Sequence, residues 1–151
     1  MHLLWQRHGG VNLKKILIVD DEPEITRLVK KFLEPEGFKV YTANSGPEAL
    51  KLLDDLKPDF IFLDLFMPGM SGWDVLREIR KKAADVPVAM LTVQPLYESI
   101  DREEVEDIVD YITKPFDRED LIETLKQVPG MVEGDEYPGG GDEREATGEG
   151  G

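Results

Sequence analysis

Ile16-Leu-Ile-Val-Asp-Asp-Glu-Pro23 decides the fold. Four consecutive apolar residues, rich in β-branched side chains, read as a strand buried on both faces; a half-exposed strand would alternate apolar with polar. Two acids stand at its carboxyl end. Glu22-Pro23 then opens a helix, with Asp21 placed to cap it and Pro23 in its first turn. A strand that passes straight into a helix, with no hairpin turn between, belongs to a parallel sheet.

The same alternation repeats outward. Ile25, Leu28, Val29, Phe32 and Leu33 make one helical stripe, broken by Gly37. Strands are expected at Lys39–Thr42, Phe60–Leu63, Val88–Leu91 and Tyr111–Thr113. Helices are expected over Gly46–Leu56, around Trp73–Ile79, over Asp101–Val109 and around Leu121–Leu125. Five strands alternating with five helices give an α/β fold, a doubly wound parallel sheet with helices on both faces.

Two ends frame this region. Residues Met1–Leu13 show no periodicity and read as an unstructured leader, and Pro129–Gly151 as a disordered tail rich in glycine and acids. The folded region is then expected over Lys14–Val128. The 151-residue chain carries 18 Lys+Arg against 32 Asp+Glu, a net charge of −14, of which the tail holds −6. So acidic a surface argues against a nucleic-acid partner. The absence of cysteine excludes disulfides, thiolate metal sites and cysteine nucleophiles. No apolar run is long enough to span a membrane and no secretion signal is legible, so a cytoplasmic protein is expected.

In open α/β sheets ligands bind beyond the carboxyl ends of the strands. Asp20 and Asp21 follow the first strand, Asp64 the third, Thr92 the fourth and Lys114-Pro115 the fifth. Each has a plain structural reading as a cap, turn or loop residue, and the conjunction carries the inference. Three gathered carboxylates repel one another unless a cation joins them, and a hard divalent ion, Mg²⁺ or Mn²⁺, suits oxygen ligands beside phosphate. Lys114 and Thr92 offer a positive charge and a hydroxyl to phosphoryl oxygens. An aspartate in such a place can act as a nucleophile and form an aspartyl phosphate. The lack of Gly-x-x-x-x-Gly-Lys excludes a P-loop enzyme.

Four segments together resemble the receiver domain of two-component response regulators, in particular the stand-alone chemotaxis type: Ile16–Pro23, Asp64-Leu-Phe-Met-Pro-Gly-Met-Ser-Gly72, Leu91-Thr92 and Tyr111-Ile-Thr-Lys-Pro-Phe116. The gaps agree as well, with 43 positions from Asp21 to Asp64, 28 more to Thr92 and 22 more to Lys114. The resemblance implies a flavodoxin-like strand order 2-1-3-4-5. It implies that Asp64 accepts a phosphoryl group from a sensor histidine kinase. Mg²⁺ would be held by Asp20, Asp21, Asp64 and the backbone carbonyl of Phe66, with Asp20 acting partly through water. Thr92 and Lys114 would hold phosphoryl oxygens, and Lys114 would pair with Asp64 before phosphorylation. Thr92 and Tyr111 would form the switch, and Pro115 would follow a cis peptide. The downstream target is left open. The chain is expected to catalyse only its own phosphorylation and dephosphorylation.

This chain departs from the family at Val93, Phe66, Gln94 and Asp107-Ile108. Phe66 and Val93 are expected to hinder water at Asp64 and so lengthen the phosphorylated state, with Gln94 acting the other way. Gln94-Pro95 delays the fourth helix to an Asp101–Glu104 capping box. Two other functions use the same residues: a phosphorelay intermediate that passes its phosphoryl group to a histidine phosphotransferase, and a Mg²⁺-dependent phosphohydrolase.

Overall fold

The computed structural model describes residues 13–83, 85–93 and 108–132. It contains β1 (Lys15–Val19), α1 (Pro23–Leu33), β2 (Lys39–Ala43), α2 (Gly46–Leu56), β3 (Phe60–Asp64), α3 (Gly72–Lys82), β4 (Val88–Thr92), β5 (Asp110–Thr113) and α4 (Arg118–Leu125). A short 3₁₀ turn, Glu34–Glu36, extends α1. Gln94, Asp107 and the expected helix from Asp101 with its capping box lie outside the described residues. Among those residues no helix is long and apolar enough to cross a membrane.

All four strand pairings are parallel, in the order β2-β1-β3-β4-β5. The unbroken apolar run that marks β1 is explained by its two faces. Ile16 and Ile18 pack under α1 and α4 with Phe60 and Phe62, while Leu17 and Val19 pack under α2 and α3 with Ile61 and Leu63. The middle strands have no solvent face, so polar alternation is absent where the core is deepest.

Two expectations are corrected. The residue at the cap of α1 is Glu22, not Asp21, and no side chain makes a cap hydrogen bond there; Pro23 does open the helix. Asp21 is therefore not consumed by the helix end. The folded region also runs past Val128. Met131 is 7% exposed, in the cluster under α1 and α4, and Val128 and Val132 pack against it. Met131-Val132, between Gly130 and Glu133, is too short an apolar pair to read as core.

Two helix starts use capping boxes that hold the site-side loops. Ser71 and Asp74 exchange hydrogen bonds at the start of α3, as do Asp117 and Asp120 at the start of α4. Both helices begin directly after the loops that carry Asp64 and Lys114.

Candidate functional site

The site is built where the strands end. Asp20 leaves β1 with its N–H donated to the Ala43 carbonyl at 3.0 Å. The Asn44 amide donates to the Asp20 carbonyl at 2.8 Å. The Asp20 side chain turns back to accept the Glu22 N–H at 2.9 Å. These three bonds hold Asp20 at 0% exposure, where a carboxylate would not otherwise settle. Asn44, on the neighbouring strand's loop, carries no chemistry of its own, and sequence reading passed over it.

Asp64 is the last residue of β3 and is 4% exposed. The chain after it is pinned by Leu65 N–H to the Leu91 carbonyl at 2.9 Å and Gly72 N–H to the Leu65 carbonyl at 2.8 Å. The start of α3 presses so closely here that a Cβ on Gly72 would lie 2.5 Å from the Asp64 carbonyl oxygen. Only glycine fits. Thr92 ends β4, buried, and its carbonyl accepts the Lys114 N–H at 2.7 Å. The Lys114–Pro115 peptide is cis.

These elements bring together Asp20, Asp21 and Asp64, with one carboxylate oxygen of each within 4.8 Å of the other two. The Lys114 ammonium lies 2.8 Å from Asp20, 3.4 Å from Asp64 and 3.6 Å from Glu22. The expected partner, Asp64, is thus met, but the closer bond goes to the more deeply buried Asp20. Glu22, at the rim, was not singled out from sequence; Asp-Asp-Glu-Pro read there as a helix start.

Burial disfavours the charged carboxylate, and the neighbouring Asp20 adds repulsion. Together they push Asp64 up to about 7, against the pull of Lys114 and the Phe66 N–H. Burial also raises Asp20, although Lys114 opposes it. Lys114 loses solvation too, but the surrounding carboxylates outweigh that loss and raise it. Three clustered carboxylates against one ammonium leave uncompensated negative charge, two of the three being buried. The donors are all hard oxygens, which fits a small divalent cation such as Mg²⁺ and not a thiophilic metal.

Tyr111 on β5, paired in register with Met90 on β4, meets Trp73 edge-on, with centroids 6.4 Å apart. Its hydroxyl is withdrawn from solvent. Phe66 and Val93 stand in the loops after Asp64 and Thr92 and are 53% and 62% exposed. They form an apolar rim that is open to water and not a closed lid.

Residues 16–126 match the response regulator receiver domain family. The Vibrio cholerae chemotaxis protein CheY4 is 31% identical, over 78% of this chain and 99% of that one, with a TM-score of 0.72. The Thermotoga maritima response regulator TrrA, whose structure is a complex with Mg²⁺-BeF, is 40% identical over 76% of this chain and 98% of that one, with a TM-score of 0.68. A receiver domain protein from Clostridium thermocellum is 34% identical over 74% and 90%, with a TM-score of 0.68.

Proposed function

The chain belongs to the response regulator receiver domain family of two-component signalling, and from that premise we propose that Asp64 is its phosphoryl acceptor. The observation that carries the reading is the meeting of Asp20, Asp21 and Asp64 within 4.8 Å, with the Lys114 ammonium set between Asp20 and Asp64. In this reading the donor is a phosphohistidine on a sensor histidine kinase, and the protein works in the cytoplasm.

Asp20, Asp21, Asp64 and the Phe66 carbonyl are the groups that would hold Mg²⁺. When bound, Mg²⁺ neutralises negative charge on the phosphoryl oxygens and favours the ionised form of Asp64. The Asp64 carboxylate attacks phosphorus; a new O–P bond forms as the histidine N–P bond breaks, and the imidazole leaves with its electron pair. Little covalent chemistry is asked of the protein beyond position and charge. Lys114 and Thr92 supply an ammonium and a hydroxyl to the transferred oxygens. Thr92 then shifts toward the phosphoryl group and Tyr111 follows it, with Trp73 at its edge, so that a local charge change alters a surface.

The test is incubation with acetyl phosphate and Mg²⁺, followed by intact mass. The wild type gains one phosphoryl group, and Asp64→Asn gains none. Equal uptake by the variant would move the acceptor elsewhere. Removal of Mg²⁺ with a chelator should also stop uptake.

A further inference from the structure

The edge where the strands begin has a different chemistry. Lys14, Lys15, Lys39, Lys57, Tyr41 and Asp59 line a groove of about 570 Å³ there. Strand pairing creates it. Lys39 N–H donates to the Lys14 carbonyl at 2.9 Å and Asp59 N–H to the Lys15 carbonyl at 2.8 Å, so three chain segments start side by side. The Lys15 ammonium is used within the fold, donating to the Leu56 carbonyl at 3.1 Å. The Asp59 carboxylate accepts the Lys15 N–H at 2.7 Å. Lys39 lies 5.8 Å from the centre of the Tyr41 ring. No carboxylate of the described residues stands at ion-pair distance from the ammonium groups of Lys14, Lys39 or Lys57. One aspartate against four lysines is a cationic surplus on a chain of net charge −14.

A second observation supplies the occupant. The Gln127 amide donates to the Asp110 carboxylate at 2.8 Å, where β5 begins. Met131 is buried in the same cluster as Phe38 and Val40, which flank the start of β2. The last described residues, to Val132, thus follow a contact at the end of the sheet where the strands begin, on the β5 side. Residues 133–151 carry seven acids against the single base Arg144, whereas residues 1–12, which adjoin the groove through Leu13, contain no acid. We propose that residues 133–151 dock their carboxylates in the lysine groove of the same molecule.

Reach selects which acids dock. Val132 packs on the face of α1 and α4, whereas Lys15, Lys39 and Tyr41 share the face of Leu17 and α2. Crossing three strand spacings and one layer takes about 25 Å, or about eight extended residues. Asp142, Glu143, Glu145 and Glu149 lie beyond that distance along the chain and can reach. Each pair is weak and exposed, but attachment to the same chain holds the carboxylates at roughly millimolar effective concentration. A separate polyanion lacks that advantage and must approach a molecule of like charge.

The test uses the full chain under limiting acetylation, with the rate at each lysine read by mass spectrometry. Lys30 and Lys31, exposed on α1, are internal references. With Asp142→Asn, Glu143→Gln, Glu145→Gln and Glu149→Gln combined, the rates at Lys14, Lys39 and Lys57 should rise about threefold or more while the references hold. Salt at about 0.5 M should do the same to the wild type. Groove rates that are equal in variant and wild type overturn the proposal. So does protection that fades on dilution, because that reports docking on a second copy.

Discussion

At the edge where the strands end, the buried carboxylates of Asp20 and Asp64 meet Asp21 and an ammonium; at the edge where they begin, four lysines and one aspartate share a groove open to solvent. The residue types are similar, and solvation separates them. At the closed edge desolvation dominates, so Asp64 is lifted to about 7 and salt in the medium hardly reaches it. At the open edge water and counter-ions screen every pair, so its interactions are weak, additive in number and sensitive to salt. One sheet thus offers a tight chemical site at one end and a loose electrostatic surface at the other.

The largest structural effect should come from breaking the closed edge mechanically. In Gly72→Ala the new Cβ meets backbone, at 2.5 Å from the Asp64 carbonyl oxygen and 2.7 Å from the Leu65 Cα. Neither atom can yield as a flexible side chain would. A loss of about 1–3 kcal/mol is expected, or roughly 5–15 °C in melting temperature. A variant that melts with the wild type would show that the loop is not held by this contact.

Next comes protonation. The folded protein holds the Asp64 proton up to about pH 7, well above the ordinary aspartate value of 3.8. Its contribution to stability is therefore complete below about pH 4 and is lost as pH rises through 7. Metal-free wild type should fall behind Asp64→Asn, which has no charge to bury, by several degrees between pH 5 and pH 8. Added Mg²⁺ should raise the wild type at pH 8 and leave the variant much less changed. Parallel melting curves across that range would remove burial of Asp64 as the cause.

The open edge is broken more gently. Met131→Ala removes a side chain that is buried at the margin of the cluster under α1 and α4, so about 1–2 kcal/mol and roughly 5–10 °C are expected. A chain cut after Val132 should keep the wild-type melting temperature, and one cut after Val128 should show the loss. Equal melting of the two would show that Met131 does not secure α4.

What sequence made legible follows the same division. Strands with two buried faces announce themselves as apolar runs, and the residue after each run is fixed by the sheet, so Asp20, Asp64, Thr92 and Lys114 could be named. The strand order came from resemblance alone, because pairing between strands leaves no local pattern. Contacts made through backbone were invisible: Asn44 holding the Asp20 carbonyl and Gly72 pressed on Asp64. The ranking of the two ion pairs, in which Lys114 lies closer to Asp20 than to Asp64, was invisible as well. The lysine groove was missed for another reason. Lys14 and Lys15 are adjacent, but Lys39 and Lys57 are far along the chain, and only the pairing of β1 with its two neighbours brings them to the same groove.

The smallest effect concerns the rim of the closed edge. Phe66 lies two residues after Asp64, and its own N–H donates to the Asp64 carboxylate at 3.4 Å. Hydrolysis of an aspartyl phosphate needs a water in line with the O–P bond. Phe66 offers that water no hydrogen bond, yet at 53% exposure it is a partial screen and not a seal. Val93, at 62%, screens still less. Phe66→Asn keeps the backbone contact, opens the rim and adds an amide that can orient water. Phosphate release should then quicken by about threefold to tenfold, on the order of 1 kcal/mol in the barrier, with phosphoryl uptake unchanged. Release that stays constant or slows in Phe66→Asn would mean that water at Asp64 is governed from elsewhere than this rim.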